Sequence, residues 1–226
     1  MAGQRPLQHE GPTLPVQTPA AARTQAAFRV LMNALSSPGE WLPLPAGAEL
    51  DAPEPAALAP YVLIGETLLD LETTFYTPHA ELRRRLLDTG AHPAAPHDAD
   101  YLFLPELDAA ALGALGWARR GDPLEPQRAA TVLVGTELVG TGLVGAGHDA
   151  AGHGGAALTL SGPGIPGTRR AALGLPDAFW QLRRGATYPL GWDAFVLRGD
   201  GDAGRSAQLA SAQVAGLPRT TAVEVS

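Results

Sequence analysis

Apolar residues recur along this chain in two rhythms, one helical and one extended, and the change from the first to the second outlines the fold. Phe28, Leu31, Met32 and Leu35 fall at i, i+3, i+4 and i+7, the spacing that gathers side chains on one face of a helix. Thr18 and Pro19 offer an N-cap and a first-turn proline ahead of that stretch, and Ser36-Ser37-Pro38-Gly39 ends it. Order is therefore expected to begin at Thr18-Pro19, after a mobile arm formed by residues 1–20, in a helix that buries those four side chains. The Pro-rich stretch from Pro43 to Pro60 reads as a loop or an ordered excursion. Tyr61 to Leu71 reads as a buried helix, Thr73 to Thr77 as a short strand, and His79 to Asp88 as a helix carrying Leu82, Leu86 and Leu87 beside Arg83, Arg84 and Arg85. Such an Arg run is usually a solvated face, with an anion or partner contact as the second reading.

Tyr101 to Leu104 reads as a strand entering Pro105, and Asp108 to Arg120 as an Ala/Leu helix whose Arg119 and Arg120 offset the negative end of its dipole. Helices alternating with strands predict an α/β fold with a mixed sheet. Past residue 130 the rhythm becomes extended, with strands expected at Thr131 to Val139, Ala156 to Ser161, Asp193 to Arg198 and in the tail, arranged as hairpins. One helix interrupts them, Pro176 to Arg184, with Phe179 and Leu182 facing inward. Leu133 to Gly147 contains a pentapeptide repeat, LVGTE-LVGTG-LVGAG. Strand side chains alternate with period two, so a period of five changes face at each copy; a locally duplicated strand and hairpin edge fits better than a solenoid.

A length of 226 residues with 45% apolar content supports a sizeable core and a single domain over residues 21–226. The net charge of −7 and the absence of a basic run longer than the three Arg at 83–85 argue against nucleic acid and anionic membranes as partners. All 16 basic residues are Arg, and the chain has neither Lys nor Cys. Schiff-base chemistry needs an amine, iron–sulfur and radical chemistry need thiolates, and the phosphate-binding P-loop needs its Lys, so this polypeptide performs none of these alone. With no apolar secretory core near the N-terminus, a cytoplasmic location is expected.

Candidate chemistry is sparse. GPGIPG, Gly162 to Gly167, fits the letters of the dinucleotide-binding G-x-G-x-x-G and follows a predicted strand. Pro163 and Pro166 remove backbone donors that a pyrophosphate cradle would use, and no long helix or suitably placed acidic residue follows, so a tight turn is the better reading. His92, His97, His148 and His153 lie in Gly/Ala/Pro loops without ligand spacing, so no metal site is expected. The GDGDAG loop, Gly199 to Gly204, is turn chemistry and lacks the closing Glu of a calcium loop. No nucleophile elbow or carboxylate dyad marks a catalytic centre.

The tail PRTTAVEVS, Pro218 to Ser226, reads as a terminal strand with a cation at its mouth. Together with FRVLMNALSSPG (Phe28 to Gly39), LTLSGPGI (Leu158 to Ile165) and YPLGWDAFVL (Tyr188 to Leu197) it resembles the PhnH family, the H component of the bacterial carbon–phosphorus lyase system. The resemblance implies a fold similar to the pyridoxal-phosphate transferases but without the cofactor, which the absence of Lys matches. It further implies a non-catalytic or accessory subunit of the lyase core complex in phosphonate catabolism. That component acts with the G, I and L components in attaching methylphosphonate to the ribose of ATP, giving ribose 1-methylphosphonate 5-triphosphate, before the J component cuts the carbon–phosphorus bond. The I component is the first expected partner, with G and J in the complex, and a homodimer is expected in isolation. The chain departs from the family pattern in its Pro-rich arm, in the LVG repeat with its GHDAAGHGG loop, and in Ser226, where a Cys often closes the tail.

Arg219, Thr220, Thr221 and Glu224 are the candidate contact residues. In one reading the guanidinium and the two hydroxyls grip a carboxylate of a neighbouring protein or an anionic ligand. In the other, Arg219 forms an intrachain pair, with Glu224 at hand, that only anchors the tail. A stand-alone nucleotide-binding enzyme using the Gly162–Gly167 turn and an oligomeric scaffold unrelated to phosphonates are the alternative functions.

Overall fold

The computed structural model describes residues 18–45, 56–136, 157–198 and 212–225. In chain order the elements are α1 (Pro19–Ser36), β1 (Leu42–Pro43), α2 (Ala59–Leu68), β2 (Thr74–Tyr76), α3 (Ala80–Leu87), β3 (His92–Pro93), β4 (Tyr101–Leu104), α4 (Ala109–Gly116), β5 (Thr131–Gly135), β6 (Leu158–Ser161), β7 (Arg169–Ala171), α5 (Asp177–Arg184), β8 (Asp193–Arg198), β9 (Gln213–Leu217) and β10 (Ala222–Val225). Seven strands form one mixed sheet in the order β1-β9-β8-β5-β4-β2-β3. From β8 to β3 every pairing is parallel, and β9 and β1 extend the β8 edge by antiparallel pairing. The remaining strands make a separate antiparallel sheet in the order β10-β6-β7. The expectation of an α/β fold with a mixed sheet holds; the second sheet is an addition to it.

The strand sequences explain which face each residue meets. The central strands read as near-continuous apolar runs, as parallel strands covered on both faces do. Leu102, Leu104, Val132, Val134, Ala194, Val196, Ala215 and Leu217 point to one side, where α4, α5 and the small sheet cover them. Phe103, Leu133, Phe195, Leu197 and Val214, the alternate positions, meet α1, α2 and α3 on the other. Each layer therefore has its own core, and the sheet separates them.

Helix α1 starts where the sequence indicates, with Thr18 Oγ1 accepting from the Ala21 N–H at 3.2 Å. Its buried stripe is different from the expected one: Ala27, Leu31 and Ala34 are buried, while Phe28 is 47% and Met32 49% exposed. The reason is close backbone approach, since a Cβ on Gly216 of β9 would lie 2.4 Å from the Ala34 carbonyl. Bulky side chains have no room there, so the helix turns its small residues inward.

Other elements are shorter than expected. Helix α2 stops at Leu68 and α4 at Gly116. Arg119 and Arg120 consequently lie beyond α4 and do not offset its dipole. Arg119 pairs with Asp100, and Arg120 donates to the carbonyls of Gly185 and Leu182 at the end of α5. In α3, Leu82 and Leu86 are buried and Leu87 is exposed. Arg83 and Arg84 are exposed, Arg84 pairing with Glu81. Strand β5 takes the first copy of the pentapeptide repeat through Gly135; its later copies, His148, His153, the GDGDAG loop and residues 1–17 lie outside the described residues.

Candidate functional site

The four stretches quoted from the sequence converge around the end of α1 and the tail. Ser36 to Gly39 leave α1 through Gly39 at φ +76°, and the Gly39 N–H donates to the Gly216 carbonyl at 2.9 Å. The Gly162–Gly167 segment is the β6–β7 hairpin turn, wedged between that helix end and the tail. A Cβ on Gly164 would lie 2.3 Å from the Ser36 carbonyl oxygen, and one on Gly162 would lie 2.8 Å from the Thr220 carbonyl oxygen. Both residues have positive φ, +83° and +131°, so only glycine fits the backbone and the space. Arg169 on β7 closes the junction by donating to the carbonyls of Pro38 at 2.8 Å and Ser37 at 3.2 Å. A strand, not a helix, follows the turn. No helix N-terminus is therefore available for a pyrophosphate, and the nucleotide-binding alternative loses its structural basis.

The tail turns at Pro218–Thr221, where the Thr221 N–H donates to the Pro218 carbonyl at 2.9 Å. Arg219 then points into its own chain. Its backbone N–H meets Asp193 Oδ1 at 2.7 Å, its Nη2 meets Oδ2 at 2.7 Å, and its Nη1 donates to the Pro126 carbonyl. The intrachain pair expected for Arg219 thus exists with Asp193, the first residue of β8, and not with Glu224. Glu224 sits exposed on β10 in register with Thr159.

Beside this pair lies a cleft of about 300 Å³ between the end of α5, the loop from Ala186 to Trp192, and the tail. Arg183, Arg184, Tyr188, Arg219, Thr220 and Thr221 are among its lining residues; Glu224 is not. Trp180 and Trp192 line it, backed by the core residue Phe179, whose ring meets Trp180 edge-on with centroids 5.0 Å apart and Trp192 at 5.3 Å. The Arg183 guanidinium lies 5.4 Å from the Trp192 ring centroid and donates to the carbonyls of Trp192, Leu217 and Pro218. Burial pushes its pKa down to about 10, which leaves it charged at neutral pH. The neighbouring Arg184 is exposed and makes no hydrogen bond or ion pair among the described residues. Thr221 is only 5% exposed, and its hydroxyl has no hydrogen-bond partner among the described residues. A buried polar group left so costs about 1–3 kcal/mol.

Sequence reasoning brought Arg219, Thr220 and Thr221 to this place but missed Arg183, Arg184, Tyr188 and Asp193. The signal was present in QLRRGATYPLGWD, where two Arg close a helix four to five residues before Tyr188. Among the described residues, the cleft is lined by no carboxylate and no His. It offers cations and hydroxyls that bind and orient an anion or a hydrogen-bonding partner. Among the described residues there is also no group of three His, Asp or Glu side chains able to hold a metal, and no helix long and apolar enough to cross a membrane. A second hollow of about 230 Å³ lies between α2 and α3, with Glu66, Arg85 and Asp88 in its wall.

Residues 16–224 match the family described as bacterial phosphonate metabolism protein (PhnH). The chain is also 29% identical over 212 residues to the putative C-P lyase subunit protein HtxG of Stutzerimonas stutzeri, covering 91% of this chain and 88% of that protein. With nearly its whole length matched, from the helix that packs on Gly216 to the strand that carries the tail, this chain belongs to the PhnH family of bacterial phosphonate metabolism proteins.

Proposed function

We propose that the chain is a non-catalytic subunit of a carbon–phosphorus lyase complex, acting with the G, I and L components where methylphosphonate is joined to the ribose of a nucleotide triphosphate. The observation that carries this reading is the cleft: two of the family-like stretches, Tyr188 to Leu197 and the tail, meet at it, and among the described residues its lining holds Arg and Thr without a carboxylate or a His. Such a surface binds and positions. Thr220 and Thr221 form its contact wall in this reading, and Arg219, held by Asp193, keeps that wall in place; Glu224 stands apart on β10 as a second point for a partner.

The family's likeness to the pyridoxal-phosphate transferases enters on the same footing. A mixed sheet, parallel from β8 to β3 and covered by helices on both faces, is compatible with it, and a chain without Lys has no side-chain amine for the internal aldimine. The I component is the proposed direct partner, with G and J in the complex, in the cytoplasm. The test is a deletion strain growing on methylphosphonate as its phosphorus source. Complementation by this chain, with the I and G components recovered on the tagged protein, is expected. Normal growth of the uncomplemented deletion, or a tagged chain that restores growth yet recovers no other lyase component, would end the proposal.

A further inference from the structure

The cleft carries more positive charge than its own fold uses. Three guanidinium groups line it, those of Arg183, Arg184 and Arg219. Asp193 is the carboxylate that answers them, and Arg219 occupies it. Three cations less one carboxylate leaves two positive charges unmatched, on a chain whose net charge is −7. Arg184 has no partner among the described residues, and the buried Thr221 hydroxyl in the same lining has none either. Tyr188, 66% exposed, stands at the rim.

We propose that this cleft binds a dianionic tetrahedral head group, a phosphonate or a phosphate monoester, with Arg184 and the Thr221 hydroxyl as its direct contacts and Arg183 as the charge behind them. A dianion matches the two open charges; a carboxylate leaves one unanswered. Tetrahedral oxygens also present several acceptors at once, so a guanidinium fork and a hydroxyl engage them together. The volume, about 300 Å³, sits at the small end of ligand pockets and suits a head group with a compact substituent. The proposal rests on the phosphonate reading above for the choice of head group, while the excess charge is a property of the cleft itself.

The test is calorimetric titration of the full chain in a chloride buffer with methylphosphonate, ribose 5-phosphate and, as the monoanion, acetate. One site per chain is expected for a phospho ligand, with acetate at least tenfold weaker. Arg184→Gln and Thr221→Val should each weaken that binding at least tenfold while melting at the parent's temperature; valine keeps the shape and removes the orphaned hydroxyl. Binding of methylphosphonate alone assigns the phosphonate, binding of ribose 5-phosphate alone assigns the ester, and either supports the proposal. No heat with either ligand at millimolar concentration, parent-like binding by both variants, or acetate binding as tightly as the phospho ligands overturns it. If binding fails while the chain still complements growth on methylphosphonate, this inference falls and the proposed place in the lyase complex stands. If binding holds and complementation fails, the reverse follows.

Discussion

Arg219 turns its donors inward, and that decides what its loss does. The pair with Asp193 is mostly covered, with side chains 17% and 23% exposed, so Arg219→Ala leaves a carboxylate without its cation in a half-buried place. A decrease in unfolding free energy of about 1–3 kcal/mol is expected, above the value of about 1 kcal/mol or less for an exposed pair. Urea denaturation measures it, and a change within error of zero would show that the tail is held by its strand alone. Asp100 makes a second half-buried tie, accepting from the Thr74 N–H at 2.8 Å and from the Thr74 hydroxyl at 2.6 Å, with Arg119 beside it. Burial pushes its pKa up, but the Thr74 and Arg119 hydrogen bonds outweigh burial and hold it below the usual carboxylate range. Because the folded-state pKa lies under the unfolded one, Asp100 stabilises above about pH 4 and that contribution disappears as pH falls through the folded value. Asp100→Asn should therefore lower the melting temperature at pH 7 and lower it by less at pH 3, below the unfolded-state pKa. An equal gap at both pH values would contradict this.

Helix α1 and strand β9 meet backbone to backbone, a contact made by absent side chains. Gly216→Ala places a Cβ 2.4 Å from the Ala34 carbonyl, where nothing flexible can yield, and about 3 kcal/mol of destabilisation is expected from forced overpacking. Gly113 on α4 is the contrast, since a Cβ there meets nothing within 4 Å. Gly113→Ala should stabilise by about 0.5–1 kcal/mol through helix propensity alone. Equilibrium unfolding of the two variants side by side checks both signs. Should Gly216→Ala unfold like the parent, the helix would have to sit farther from the sheet than it does here. The β6–β7 turn obeys the same rule as β9: its Gly162 and Gly164 are set by proximity to Thr220 and Ser36, not by a ligand's phosphates.

At the scale of the molecule, Phe28 and Met32 one turn apart on α1, Trp117 (72% exposed) and Leu124 (91% exposed) leave apolar surface uncovered in the single chain. Self-association as a two-fold dimer in the absence of the other lyase components is the expected use of such surface. Light scattering at micromolar concentration should return twice the chain mass, and a monomer at every concentration would rule the dimer out. The purified chain is also expected to hold no pyridoxal phosphate, for want of a Lys to form the aldimine. Absorbance in the near ultraviolet and visible after incubation with the cofactor, followed by borohydride trapping, tests this. A stoichiometric, trapped cofactor would contradict it.

Local sequence determined the elements that depend on local chemistry: the Thr18 cap and Pro19 start of α1, the apolar runs of β4, β5 and β8, and the turn character of Gly162–Gly167. Hydrogen-bonding caps and strand alternation act over a few residues, so they can be read from a few residues. Family membership was legible in four short stretches, three of which the fold brings together between the end of α1, the β6–β7 turn and the tail. What required tertiary structure was every relation set by distance in space. The inward face of α1 depends on Gly216, 182 residues beyond Ala34. Arg219 chose Asp193 on β8 over Glu224 on β10 because the Pro218–Thr221 turn aims its fork at the start of β8. Arg120 serves the carbonyls of α5, not those of α4. The cleft exists only where α5, the loop before β8 and the tail meet, and no periodicity along the chain records that meeting.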